Sequence, residues 1–402
     1  MSARSAMSHA PSDTLRPARS LPIDRTGVLF AVLGAAGLAF PFIQFKANRL
    51  VGGDGLRLPE VLAAPGGWLV AVALGLILVA GIIRLPQGLR LILALGSVAA
   101  VVLTLGLGAG RLTPEGNTLA RVSPGAGFWL LLTTFALMGA DAMGKLRPPL
   151  WVRALVLAGV CAAVIGVLAS GLLDPVSVMR EYHARQDLFW REARMHVFLA
   201  FGSLGLALVV GLPLGVLLYQ VPRLKVPVLS TLNMLQTIPS LALFGIMIPI
   251  LGWVAANVPG AAAMGIAGIG FAPALIALFL YSLLPVVSNT VVGLEGVSAD
   301  ARDAARGLGM TDRQVMFQIL LPLALPVILA AVRIVLVQNI GLAVIAGLIG
   351  GGGFGSFVFQ GLNQTAMDLV LVGALPTVFM AIVAGIALDL AVEALSRKGA
   401  TR

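Results

Sequence analysis

DAARGLGMTDRQVMFQILLP, residues Asp303 to Pro322, is a polar island in a chain that is otherwise apolar. Asp303 is followed by Ala304 and Ala305, Gly309 comes six residues after the acid, Ile319 ten further on, and Leu321-Pro322 closes the stretch. Just upstream, Ser298 is placed to N-cap a short helix with Asp300 in its first turn. Ala301, Ala304, Ala305 and Leu308 then fall at i, i+3, i+4 and i+7, giving one low-relief face that can lie deep in a partner's groove. Gly307 and Gly309 end that helix. Thr311 with Gln314 makes a capping box for a second helix, and Pro322 admits the chain to the next apolar run. The segment 298–322 therefore reads as a handle on the water side of a membrane.

The rest of the composition fits that reading. Of the 402 residues, 59% are hydrophobic and only 11% charged, with a mean hydropathy of +1.00. Apolar runs near 27–45, 66–83, 89–109, 125–143, 151–172, 196–219, 226–253, 271–293, 323–347 and 367–392 are long enough to cross a ~30 Å hydrocarbon core. None alternates as a barrel strand would. The fold class is an all-α membrane protein with about ten transmembrane helices. Placing the N-terminus inside puts 17 Lys and Arg on the inner side and nine on the outer, with Arg333 within a span. Both termini and the 298–322 handle then face the cytoplasm. The net charge of +10 follows from this topology and from attraction to anionic lipid. No basic cluster interleaved with aromatics points to nucleic acid.

Residues 1–26, rich in Ser, Arg and Pro, read as a disordered cytoplasmic tail, and 394–402 as a second tail. Residues 27–172 form a five-helix membrane region with little chemistry; Asp141 and Lys145 are spaced for an i,i+4 contact at a helix end. The segment 173–195, with four acids and four arginines, reads as an amphipathic linker helix on the outer side. Residues 196–393 form a second membrane core. Cys161 is the only cysteine, and His9, His183 and His196 are scattered, so no metal-ligand spacing exists.

Polar residues punctuate the second core. Pro239 lacks an N–H, so the seventh span is kinked or broken there, with Gln236, Thr237 and Ser240 around it; freed carbonyls can line a polar path, or the kink is purely structural and satisfied by Thr and Ser. Tyr281, Pro285, Ser288, Asn289 and Val292 share a helix face. Such a stripe serves a pore or helix-to-helix hydrogen bonding equally well. Arg333 lies eleven residues after Pro322, deep enough to need carbonyls, water or an acid; Gln338 and Asn339 follow, so this is a polar seam between subunits or along the path. The Gly350 to Gly353 run has no following Gly-Lys-Ser/Thr and is a turn or gate rather than a phosphate loop.

The spacing from Asp303 to Pro322 resembles the "EAA" coupling motif of permease subunits in ATP-binding-cassette importers, with Asp where the family usually has Glu. LQTIPSLALFGIMIP at 235–249, YSLLPVVSNTVVGLEGV at 281–297 and LIGGGGFGSFVFQGLN at 348–363 resemble the permeases of osmoprotectant importers, those for glycine betaine, choline and related compounds. The likeness covers about half the chain; the long N-terminal extension departs from shorter members. It implies a bacterial inner-membrane permease with ATPase-coupling residues Ala301, Asp303, Ala304, Ala305, Leu308, Gly309, Ile319 and Pro322. The translocation path would use Gln236, Thr237, Pro239, Ser240, Tyr281, Asn289, Arg333, Gln338 and Asn339. Implied partners are two ATP-binding subunits, a second permease subunit and a separate substrate-binding protein. No cofactor is expected in this chain, ATP and Mg belonging to the ATPase.

The second core places no acid in the middle of a span, with Asp389 and Glu393 at the end of the last one, which argues against proton coupling by an intramembrane carboxylate. An ion-coupled secondary carrier of small polar solutes is the alternative. An enzyme is not supported: there is no HExxH, no GxSxG and no pair of intramembrane aspartates.

Overall fold

The computed structural model describes residues 23–48, 51–113, 117 and 119–400, with the side chains of 396–400 outside the description. Sixteen α-helices carry the described chain: α1 Arg25–Ala39, α2 Leu58–Val61, α3 Gly66–Ile82, α4 Gln87–Leu112, α5 Ala126–Leu146, α6 Leu150–Ala169, α7 Ser177–His183, α8 Gln186–Gln220, α9 Pro222–Thr237, α10 Ser240–Asn257, α11 Phe271–Glu295, α12 Ala299–Gly307, α13 Asp312–Gln314, α14 Leu321–Leu342, α15 Gly355–Asn363 and α16 Met367–Ala400. A π-helical turn, Val315–Leu320, joins α13 to α14, and a 3-10 turn, Ile345–Ile349, follows α14. Three short strands, β1 Ile43–Lys46, β2 Asp54–Leu56 and β3 Arg121–Pro124, pair in the order β2-β1-β3.

Helices dominate because a chain in hydrocarbon must satisfy its backbone within each segment. Among the described residues eight helices are long and apolar enough to cross a membrane, and α1 and α3 are shorter apolar helices. The count of ten spans is therefore not reproduced. The run at 226–253 is two helices, since the chain is extended at Ile238 and Pro239.

Three other boundaries differ from the sequence reading. Of the expected tail 1–26, residues 1–22 lie outside the described residues, whereas Asp24 already caps α1, accepting from the Thr26 N–H. The expected linker helix at 173–195 is turn, then α7, then the first turns of α8, which runs unbroken from 186 to 220. No Pro or Gly occurs from Gln186 to Phe201, where charged sequence gives way to apolar, so the two share a helix. The tail at 394–402 is helical to Ala400, with 401–402 outside the described residues.

The chain forms two compact units. One comprises the chain to Ile43, Gly55–Thr104 and Pro124–Arg147, with α1 packed on α3 and α5. A Cβ at Gly27 would collide with the Gly81 carbonyl oxygen, so glycine sets the α1–α3 approach. Arg90 is buried and pairs with Asp24, with Asp141 3.7 Å away. Lys145 lies 2.8 Å from Asp141 and 3.2 Å from Asp24. The i,i+4 pair is thus half of a four-residue network.

The other unit comprises Gln44–Asp54, Leu105–Ser123 and Pro148–Arg402. At its centre α11 packs against α8 and α14, and α14 against α16. His196 on α8 is buried; its Nε2 donates to the Ile340 carbonyl at 3.0 Å and its Nδ1 accepts from the Phe354 N–H at 3.3 Å. This pairing fixes the neutral tautomer as a helix clamp.

Candidate functional site

The handle is built by local sequence. The Ser298 hydroxyl accepts from the Ala301 N–H and starts α12. At its other end Gly309 takes a φ of +78, which lets the Gly309 N–H reach the Arg306 carbonyl at 2.9 Å and the Met310 N–H reach the Ala305 carbonyl at 3.2 Å. This is a Schellman cap, and only glycine adopts that φ without strain. Thr311 and Gln314 form the reciprocal capping box of α13.

The expected docking face is divided in two. Ala305 is 3% exposed and packs with Leu294, Val297, Val315, Met316 and Leu320, while Ala301 is partly buried against the same cluster. A nine-residue helix has to bury one side to be held, and small residues four apart allow the closest approach. Arg302 strengthens the attachment by donating to the Tyr219 hydroxyl at 3.2 Å. Asp303, Ala304, Gly307 and Gly309 remain exposed, and Leu308 is 83% exposed. These five, with the exposed Asp300 and Arg306, make the outward face. Ile319 lies in the π-helical turn, partly buried against the base of the handle.

Pro322 does not mark a helix start in space. Residues 312–342 run as one helix. The Leu321 N–H bonds the Met316 carbonyl five residues back, and this widened turn accommodates a residue with no N–H of its own.

The break at Pro239 opens onto a cavity of about 330 Å³ lined by Gln236, Thr237, Ile238, Pro239, Ser240, Tyr281, Gln338 and Leu342. Six of the nine path residues expected from sequence meet there, and no charged group is among the lining. Ile238 and Leu342 carry no polar side chain and gave no signal of their own.

The other three lie elsewhere. Asn339 is fully buried in a knot between three helices, donating to Ser203 Oγ on α8 at 2.8 Å and Ser282 Oγ on α11 at 2.9 Å. Ser203 and Ser282 sit singly in apolar runs, which is why sequence gave them no role. Asn289 turns back to its own helix, donating to the Pro285 carbonyl at 2.8 Å. Arg333 pairs with Asp389 on α16. Asp389 lies well inside α16 rather than at its end.

Residues 207–399 match the family model of the binding-protein-dependent transport system inner membrane component. Residues 24–179 match the N-terminal domain of the ABC transporter permease YehY. The chain belongs to the binding-protein-dependent transport permeases. It is 41% identical over 188 residues to the osmoprotectant import permease protein OsmW of Salmonella typhimurium, covering 47% of this chain and 82% of that one. It is 37% identical to the carnitine transport permease protein OpuCB of Listeria monocytogenes, over 48% of this chain and 81% of the relative. The choline transport system permease protein OpuBB of Bacillus subtilis is 35% identical, over 52% and 88%. Among solved structures, an inward-facing MetNI methionine ABC transporter chain is 26% identical with a TM-score of 0.45, over 52% of this chain and 97% of that chain.

This permease is thus an integral inner-membrane subunit of an ABC importer. Its handle and its cavity both fall within the matched region 207–399.

Proposed function

We propose that this permease carries osmoprotectants of the glycine betaine, carnitine and choline kind, moving them inward by alternating access. A separate ATPase drives the cycle by docking on the outward face of α12. The observation that carries the coupling is the exposed group Asp303, Ala304, Gly307, Leu308 and Gly309 on a helix whose opposite side is fixed to the α11–α14 base. The likeness to OsmW, OpuCB and OpuBB, named as osmoprotectant, carnitine and choline permeases, supports the cargo. A wholly uncharged cavity lining supports it as well, because a zwitterion or a single cation meets no fixed charge to trap it there.

The assembly is read as two ATP-binding subunits, a second permease subunit and an extracytoplasmic binding protein, with ATP and Mg held by the ATPase. Both termini of this chain and α12 face the cytoplasm, as the distribution of Lys and Arg supports.

Reconstitution of the chain with its ATPase and binding protein in proteoliposomes tests this, with uptake of labelled glycine betaine as the readout. Uptake that needs ATP, is blocked by vanadate and ignores uncouplers is expected. Uptake collapsed by an uncoupler would make the chain an ion-coupled carrier instead. Uptake unchanged by Asp303→Lys would remove the coupling role from α12.

A further inference from the structure

Two prolines leave backbone gaps that are each filled by a side chain lining the cavity, Gln236 and Tyr281. Pro285 has no N–H, so the Tyr281 carbonyl, four residues earlier in α11, lacks its helical donor. Gln236 Nε2 supplies one at 2.7 Å. On the other side, Pro239 breaks the α9–α10 run, with Ile238 at φ −67, ψ 125 and Pro239 at φ −54, ψ 137. The Ile238 carbonyl in that break accepts the Tyr281 hydroxyl. Each element therefore completes the other's backbone, as non-helical chain at membrane depth requires. The Thr237 hydroxyl is also committed, donating to the Met234 carbonyl at 2.6 Å.

We infer that Tyr281 and Gln236 are positioning residues of the transport step, a reciprocal brace that makes the Pro239 break and α11 move as one body, and that Gln338 and Ser240 are left to meet the solute. The inference rests on the reading of this cavity as the transport path. Extended residues at a break have no helical ladder across them, so hydrogen bonds to a neighbouring helix decide how far the break opens. Losing half the brace leaves a partly buried carbonyl without its donor and lets α9 and α10 swing without α11.

Tyr281→Phe keeps the ring and removes one bond; Gln236→Leu removes the other. Each variant is reconstituted in the full assembly, and labelled glycine betaine uptake and ATP hydrolysis are measured on the same vesicles. Solute moved per ATP should fall roughly fivefold in either variant, the weight of one hydrogen bond, with the half-saturating solute concentration unchanged. The double variant should be no worse than the singles. Gln338→Leu should instead raise the half-saturating concentration at unchanged solute per ATP.

A cargo-independent readout uses Cys161→Ser with Ser240→Cys, following reaction with a membrane-impermeant thiol reagent with and without vanadate and ATP. The nucleotide-dependent change in labelling rate should shrink in both brace variants. Uptake and hydrolysis falling together in proportion to folded protein, with labelling unchanged, would reduce the brace to a structural contact and overturn the inference. Wild-type vesicles that hydrolyse ATP but move no betaine would overturn the cargo reading alone, and the labelling arm would still decide the brace.

Discussion

Arg333 on α14 and Asp389 on α16 form an ion pair within two helices long enough to span the membrane, with 37% and 42% of their side chains exposed. A single charge at mid-span costs roughly 2.5–3.5 kcal/mol on insertion scales, and among the described ion pairs neither Arg333 nor Asp389 has a second partner. Removing one member should therefore hurt more than removing both. Arg333→Leu or Asp389→Leu is expected to lower the amount of chain recovered in the membrane and its thermal midpoint, whereas Arg333→Leu with Asp389→Leu recovers most of both. Quantitative blotting and thermal unfolding in detergent check this. Additive losses in the double variant would show that the two charges act separately.

The two sides of α12 should respond to mutation in opposite ways. Leu308 is almost fully exposed, so Leu308→Asp should change stability by no more than about 0.5 kcal/mol. If Leu308 enters a groove on the ATPase, ATP-dependent uptake should still fall by roughly tenfold or more, since a charge there must be desolvated. Ala305 lies in a packed cluster, so Ala305→Leu should destabilise the chain by about 1–3 kcal/mol through overpacking. Uptake per folded molecule separates the two. Equal loss of folded protein in both variants would contradict the division of the face.

What could be read from sequence was what is encoded within a few residues. Ser298, Thr311, Gln314 and Gly309 specify caps by their own geometry, and Pro239 announces a break wherever it lies in an apolar run. The burial of Ala305 was not legible, because periodicity defines a face without saying whether it looks to the protein or to a partner. Asn339 shows the same limit: its type demanded partners, and its partners are 136 and 57 residues away. The acid for Arg333 lies 56 residues on, and the apolar run that ends near 392 does not show that α16 continues past Asp389. The charge at 186–195 marks no boundary of α8, because a helix needs only an unbroken backbone.

Asn339 supplies a further test, since burial and path lining predict different defects. Asn339→Leu removes two interhelical hydrogen bonds, at about 0.6 kcal/mol each on average in membranes, so a loss of roughly 1 kcal/mol is expected. The damage stays small because Ser282 and Ser203 each also bond a carbonyl of their own helix, at 2.7 Å and 2.6 Å. The half-saturating solute concentration should not change. A shift of that concentration without a stability loss would return Asn339 to the path.

Asp24 ties stability to pH in the N-terminal unit. Burial alone would raise its carboxyl, but hydrogen bonds from Arg90, Thr26 and Lys145 and the Arg90 charge outweigh this and hold it well below the usual carboxylate range. A folded pKa below the unfolded one means that the group's contribution is complete above about pH 4, near the unfolded value, and is lost as pH falls through the lower folded value. Asp24→Asn should lower the thermal midpoint at pH 7, because Arg90 stays buried with only the more distant Asp141 beside it. On acidification below pH 4 the wild type should lose midpoint faster than the variant, so that the two curves converge. Differential scanning fluorimetry in detergent from pH 7 to pH 3 measures the difference. Parallel curves over that range would mean that Asp24 titrates alike in the folded and unfolded chain, contrary to its place beside Arg90 and Lys145.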